Sequence, residues 1–228
     1  MREFSELAAE SPTQGFEIAS LPDFSKFPLY DETASTFAEN AAGKALHYSQ
    51  FTSEAILADD SGLVVPALDG APGVHSARYA GPGASDADRV AKLLGEMKDM
   101  TGDARRARFV CVIVVAKQGR ALSVVSDACE GSIVDAPRGT NGFGYDPVFL
   151  FPEIAKTYAE ASNSEKNRLS HRGKAFRKTM YVLSSTKTAT FCQVGHLKKG
   201  RSETTCPASR AGCLKIATHC REVKYGRL

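Results

Sequence analysis

The stretch "ILADDSGLVV", Ile56 to Val65, sets two adjacent carboxylates, Asp59 and Asp60, between apolar runs. Ile56, Leu57 and Ala58 read as a short buried strand, Leu63 to Val65 resume extended structure, and Gly62 reads as a sharp turn between them. The Asp pair is therefore expected to top a strand. Two like charges at such a place repel each other unless a cation is present, and magnesium is the hard, oxygen-seeking ion that suits carboxylates and phosphate oxygens together. The plainer reading is that Asp-Ser-Gly only makes a turn.

Upstream, "TASTFAENAAGKALHYSQF" places Phe37, Ala41, Ala45 and Tyr48 at helical spacing, with Thr36, Asn40 and Lys44 on a neighbouring face. Asp31 and Glu32 precede this helix, so packing it on the strand could gather both acidic pairs. Downstream, Ser85 with Asp88 three residues on announces a helix whose stripe is Val90, Leu93, Leu94 and Met97. "RFVCVIVVA" and "LSVVSDA", joined by "KQGR", read as a hairpin, which excludes a purely parallel sheet and favours a mixed α/β fold. "GTNGFGYDP" is a glycine loop in which Phe143 or Tyr145 could stack on a base. It carries neither a Walker G-K-[ST] ending nor the dinucleotide fingerprint. Ser170 then caps a last helix with Phe176, Met180 and Leu183 on one face, and His171 and Arg172 fall in its first turn, where free N–H groups favour anions.

The chain has 228 residues, 43% of them hydrophobic, and a net charge of +3 that is unevenly spread. From Thr186 onward there are nine Lys and Arg against two Asp and Glu, a net of +7, which leaves 3 − 7 = −4 for residues 1–185. The basic tail, 186–228, shows no sustained period, and no structure is assigned to it. Its cysteines, Cys192, Cys206, Cys213 and Cys220, lack the C-x-x-C spacing of a zinc site, whereas Cys111 and Cys129 in the body read as buried thiols. No signal or membrane segment is evident, so a cytoplasmic protein without membrane or nucleic-acid partners is expected.

Four segments in this order, "FAENAAGKA", "ADDSGLVVPALDGAPGVHSARYAG", "GTNGFGYDPVF" and "SHRGKA", resemble the inosine/xanthosine triphosphate pyrophosphatase family. The resemblance runs from about Arg2 to Ser185. It implies an elongated, two-lobed α/β fold around a long mixed central sheet, with the nucleotide in the cleft between lobes and usually a homodimer. It implies magnesium-dependent hydrolysis of non-standard purine nucleoside triphosphates (ITP, dITP, XTP) to monophosphate and pyrophosphate, a house-cleaning of the nucleotide pool. Asp60 matches the residue that activates water, Lys44 a lysine near the phosphates, and Glu32 with Asp60 the magnesium carboxylates. Ser61, Phe143, Gly144, Tyr145, Asp146, Lys166, His171 and Arg172 match substrate-binding positions.

Two departures accompany the resemblance. The family begins with an apolar strand and a Thr/Ser-x-Asn-x-x-Lys phosphate loop, and this chain opens "MREFSEL" at the segment that follows them. The sheet is thus expected to lack one strand, leaving open backbone edges, and a misplaced start and a shifted frame are the simplest account of the two ends. The alternative to an active enzyme is a truncated homologue that binds nucleotide or dimerises without turnover. An aspartate-nucleophile phosphatase is disfavoured, because "DDSGL" lacks the Asp-x-Asp spacing.

Overall fold

The computed structural model describes residues 2–10, 16–21, 26–194 and 214–219, and statements about structure refer to these. Its longest strands, β3 (Arg106–Lys117) and β4 (Arg120–Ile133), form the expected hairpin. Gln118 and Gly119 join them with φ of 51° and 74°, the paired left-handed conformation whose twist matches that of the flanking strands. β2 (Ala55–Val64) runs antiparallel to β3, while β5 (Phe149–Phe151) and β6 (Lys156–Thr157) extend the sheet antiparallel beyond β4. On the other side of β2 come β7 (Leu214–His219) and then β1 (Phe16–Ser20), giving the order β1-β7-β2-β3-β4-β5-β6. The sheet is mixed, as expected.

Helices cover both faces. On one, α2 (Phe37–Tyr48) lays Ala41 and Ala45 against Ala58, Val112, Val114 and Ala116, small side chains that let helix and sheet approach closely. On the other, α1 (Arg2–Glu10) and α5 (His171–Val194) bring Phe4, Leu7, Phe176 and Met180 onto Leu57, Ile113 and Val115. A separate core gathers at the far half of the hairpin, where α3 (Asp86–Glu96) packs Val90 and Leu93 with Leu63, Phe109, Cys129 and Phe149. The hairpin passes through both cores, which is the structural content of a two-lobed fold. α4 (Asn163–Leu169) leads directly into α5. Cys111 and Cys129 are free and buried.

Two expectations are corrected. Gly62 makes no turn, because β2 continues unbroken from Ala55 to Val64 and the Asp pair lies within it. The glycine is needed for close approach instead: a Cβ there would meet Ser76 Oγ at 2.5 Å and the Gly73 carbonyl at 2.6 Å. The second correction concerns the tail, six residues of which form β7 inside the sheet, second from its β1 edge and parallel to both neighbours. Ile216 is fully buried with Phe4, Phe16 and Leu57. Six residues are too few for a periodicity signal, and this strand is defined by the two ladders it fills. A missing strand was expected to leave open edges, and β7 pairs with the β2 edge along Ala55–Ala58, its last residue, His219, being in register with Ala58. The rest of the tail beyond α5, with Cys206, Cys213 and Cys220, lies outside the described residues.

Proline at a central strand position removes a ladder donor. Ala217→Pro, placed between Ala19 and Ile56, is expected to destabilise the chain by roughly 2–3 kcal/mol. Hydrogen exchange of residues 16–20 should accelerate at least about tenfold while that of β3 and β4 is far less affected. Unchanged exchange at 16–20 would show that β1 is held some other way.

Candidate active site

Successive side chains of a strand point to opposite faces, so the adjacent aspartates of β2 part company. Asp60 faces α2 and Asp59 faces α5. On the α2 face, Lys44 Nζ lies 3.1 Å from Asp60 Oδ1 and 3.3 Å from Glu32 Oε2. Asn40, one turn earlier, donates to Asp60 Oδ2 at 3.3 Å, and its amide also grips the backbone of Ala34 through bonds of 3.1 and 3.3 Å. That grip holds the loop carrying Glu32 beside the strand. Thr36 caps α2 by accepting from the Glu39 N–H, which fixes the helix start and so the reach of Asn40 and Lys44. Asp31, by contrast, makes only a local turn, its carbonyl accepting from the Thr33 N–H.

Burial and charge oppose each other here. Burial alone would favour a neutral lysine, but Asp60 and then Glu32 outweigh it and hold the Lys44 ammonium above its usual range. Burial pushes the Asp60 carboxyl up to about 6 although Lys44 pulls the other way. A carboxylate poised there is ionised at neutral pH yet more basic than a surface one. Among the described residues no three His, Cys, Asp or Glu side chains gather into a metal cage. Glu32 and Asp60, drawn together by one lysine, instead match the donor set of a hard cation held by two carboxylates, with phosphate and water oxygens supplying the rest.

The α5 face is a denser charge network. Arg172 donates through Nε and Nη2 to Asp59 Oδ2 at 3.1 and 2.9 Å, to Ser61 Oγ at 2.9 Å, and also to Glu3. Lys166 pairs with Asp146 at 2.6 Å and approaches Glu3 at 3.8 Å. Burial would raise the Glu3 carboxyl, but Arg172 and Lys166 outweigh it and hold it below its ordinary value. For Asp146 burial wins, and its carboxyl is pushed up against the pull of Lys166. Neither cation is therefore a bare anion receptor. Sequence reasoning passed over Glu3, which is separated from its partners by more than 160 residues and carries no local signal.

His171 opens α5, and Ser170 caps the helix, its Oγ accepting from the Gly173 N–H at 3.1 Å. The His171 ring stacks on Phe109 at 4.8 Å, with Tyr158 beyond, and its buried Nδ1 has no hydrogen-bond partner among the described residues. Burial, reinforced by Arg172, holds the imidazole down to about 3. It is neutral at physiological pH, so it does not serve as the anion-binding cation that its place in the first turn suggested. The glycine loop likewise divides its aromatics. Phe143 is 51% exposed, with Lys166 Nζ 4.6 Å from its ring centre, whereas Tyr145 is buried and its hydroxyl donates to the Ser76 carbonyl at 3.0 Å. Phe143 can stack on a ligand; Tyr145 anchors the loop.

The Ham1 family model matches residues 1–182. The chain is 52% identical over 178 residues to a dITP/XTP pyrophosphatase of Geobacillus kaustophilus, covering 78% of this chain and 86% of that protein. It is 45% identical to a dITP/XTP pyrophosphatase of Desulforamulus reducens, covering 78% and 89%. Among solved structures, a HAM1 protein from Coxiella burnetii superposes with a TM-score of 0.71 at 42% identity, over 79% of this chain and 94% of that one.

A histidine that is neutral when folded but takes a proton below about 6.5 when unfolded makes the unfolded state the better proton binder. Stability due to His171 is therefore complete above that value and is lost as pH falls toward about 3. His171→Asn should flatten the acid side of the stability profile between these limits, a difference of at most about 1.4 kcal/mol per pH unit. Chemical denaturation of both proteins at pH 7, 5.5 and 4.5 reads it. Parallel profiles would show that His171 is not held neutral.

Proposed function

From the chain's membership in the Ham1 family and the two faces of β2, we propose that it hydrolyses non-standard purine nucleoside triphosphates, the inosine and xanthosine type, to monophosphate and pyrophosphate. The carrying observation is the partition of the site by one strand. The α5 face offers an exposed aromatic, Phe143, and a neutral, unpartnered imidazole, His171, which is what a purine base requires. The α2 face offers Lys44, Glu32 and Asp60, which is what polyphosphate and its cation require. Among the described residues the β7 ladder runs along β2 as far as Ala58, and on this reading the nucleotide spans β2 near Asp59, with its base on one face and its phosphates on the other. Ligands at the carboxyl ends of parallel strands are a general feature of α/β sheets.

Asp60 takes the proton of a water whose oxygen forms the new bond to the α-phosphorus, while the bond from that phosphorus to the bridging oxygen breaks and pyrophosphate leaves. Glu32 and Asp60 would hold magnesium, which supplies charge compensation to the phosphates when bound. Lys44 neutralises negative charge on the same oxygens and keeps Asp60 aligned. Discrimination rests on polar groups near the base: a site that pairs with a 6-keto oxygen leaves a buried donor unpaired when an amino group replaces it, a mismatch worth on the order of 10⁴-fold. His171 Nδ1, protonated as a donor, can play that part.

A homodimer belongs to the same reading, and Leu122 and Val124, 49% and 60% exposed on one face of β4, are apolar surface that a second copy would cover. Among the described residues no helix is long and apolar enough to cross a membrane. Free buried cysteines accord with a reducing cytoplasm.

Magnesium-dependent pyrophosphate release from inosine triphosphate, set against adenosine triphosphate, tests the proposal. Asp60→Asn should lower kcat at least about 10²-fold, the usual loss on removing a general base. Equal turnover of both nucleotides, or full activity in the variant, would refute it.

A further inference from the structure

The loop that presents Phe143 is a turn in which the Asp146 N–H donates to the Phe143 carbonyl at 3.2 Å, and side chains fasten it at three further points. Asp146 closes the loop on itself, accepting from the Phe143 N–H at 2.9 Å and from Lys166. Tyr145 reaches down to Ser76. The third tether comes from outside: the Gly144 N–H donates to Asp86 Oδ2 at 2.7 Å, across 58 residues of sequence. Gly144 has φ of +61°, and a Cβ there would touch nothing, so the glycine is required only to aim this N–H. Asp86 is itself held. Its other oxygen pairs with Arg89, whose Nη1 donates to the carbonyls of Ala84 at 2.7 Å and Ala77 at 3.1 Å.

We propose that Asp86 is a positioning residue for substrate: from the first turn of α3 it fixes the left-handed Gly144 peptide, and thereby sets the height and tilt of the Phe143 ring over Lys166. A charge-assisted bond to a backbone N–H is short and directional, whereas the Phe143 ring is half in solvent, with the flexible side chains of Lys166 and Arg172 at 4.6 and 5.9 Å from its centre. Without the Asp86 tether the Gly144 N–H loses its carboxylate partner and the loop keeps only the bonds of its own turn, so the aromatic platform is held less firmly. The site then binds the base less well but treats the phosphates as before. This inference rests on the reading of Phe143 as the base platform.

The neighbouring Asp88 provides the control. It completes the capping box with Ser85 at the same helix start but makes no bond to the loop. In the full chain, Asp86→Ala should raise KM for inosine triphosphate roughly tenfold with kcat within about twofold, the signature of lost uniform binding. Asp88→Ala should leave both unchanged while lowering Tm, and Asp86→Asn, which keeps a carbonyl acceptor for Gly144, should restore most of the KM. Hydrogen exchange over residues 142–146 reads the tether without substrate, and should quicken in Asp86→Ala alone. Unchanged exchange there overturns the tether; quickened exchange with unchanged KM overturns its role in binding. A KM rise as large in Asp88→Ala assigns the effect to helix fraying and also overturns the proposal. If the unsubstituted chain releases no pyrophosphate, the functional reading fails while the exchange comparison still decides the tether.

Discussion

Adjacent residues of a β-strand cannot share a face, and this constraint organises the molecule around Asp59 and Asp60. Each carboxylate needs its own cation, since a buried charge left without a partner costs on the order of 3–5 kcal/mol. Asp60 receives Lys44 from α2, and Asp59 receives Arg172 from α5. The two helices are thereby fixed against opposite sides of the same two residues. Arg172 then draws in Glu3 of α1, and Glu3 draws near Lys166 of α4. Four helices are referred to one point on one strand.

The elements with strong local signals were legible in sequence. The hairpin announced itself by continuous apolar runs about a glycine turn, α3 by Ser85 and Asp88, and α2 by its spacing, which also placed Asn40 and Lys44 on one stripe. The helix packed on the strand was expected to gather both acidic pairs, and it gathers one member of each, Glu32 and Asp60, at Lys44, while Asp59 turns to Arg172. What stayed hidden depended on partners distant in sequence. Gly62 looked like a turn because a glycine after Asp-Ser usually is one, and only the closeness of Ser76 and Gly73 explains it within a strand. His171 and Arg172 looked like an anion site because charge and position in a helix can be read locally, whereas burial against Phe109 and pairing with Asp59 cannot.

β7 shows the same limit in another form. A strand of six residues has too little pattern to stand out from a basic tail, yet Leu214 and Ile216, two apart, are enough to seat it between two parallel neighbours. It lies beyond the residues matched by the family model, which end at 182. Its contribution is nonetheless central: of the described strands it alone pairs with β1, and β1 lies next to the helix that carries Glu3. Among the described residues the β7 ladder along the β2 edge runs as far as Ala58, immediately before Asp59.

On the proposed reading, that edge gives the site its logic. Base recognition and bond cleavage take place on opposite faces of one strand, so the groups that discriminate do not touch the groups that react, and the nucleotide itself links them. His171 and Phe143 can be tuned for the base without disturbing the charge balance of Lys44, Glu32 and Asp60. The opposite also holds: the cation and the phosphates can load Asp60 without altering the neutral imidazole across the sheet. The short β2 segment from Asp59 to Ser61, with one carboxylate on each side, is rigid because both sides are paired, and rigidity there keeps the reacting phosphorus at a fixed distance from the base platform. A strand serves this purpose better than a loop, since the β3 ladder and the ion pairs on its two faces resist the small displacements that would misalign water, carboxylate and phosphorus.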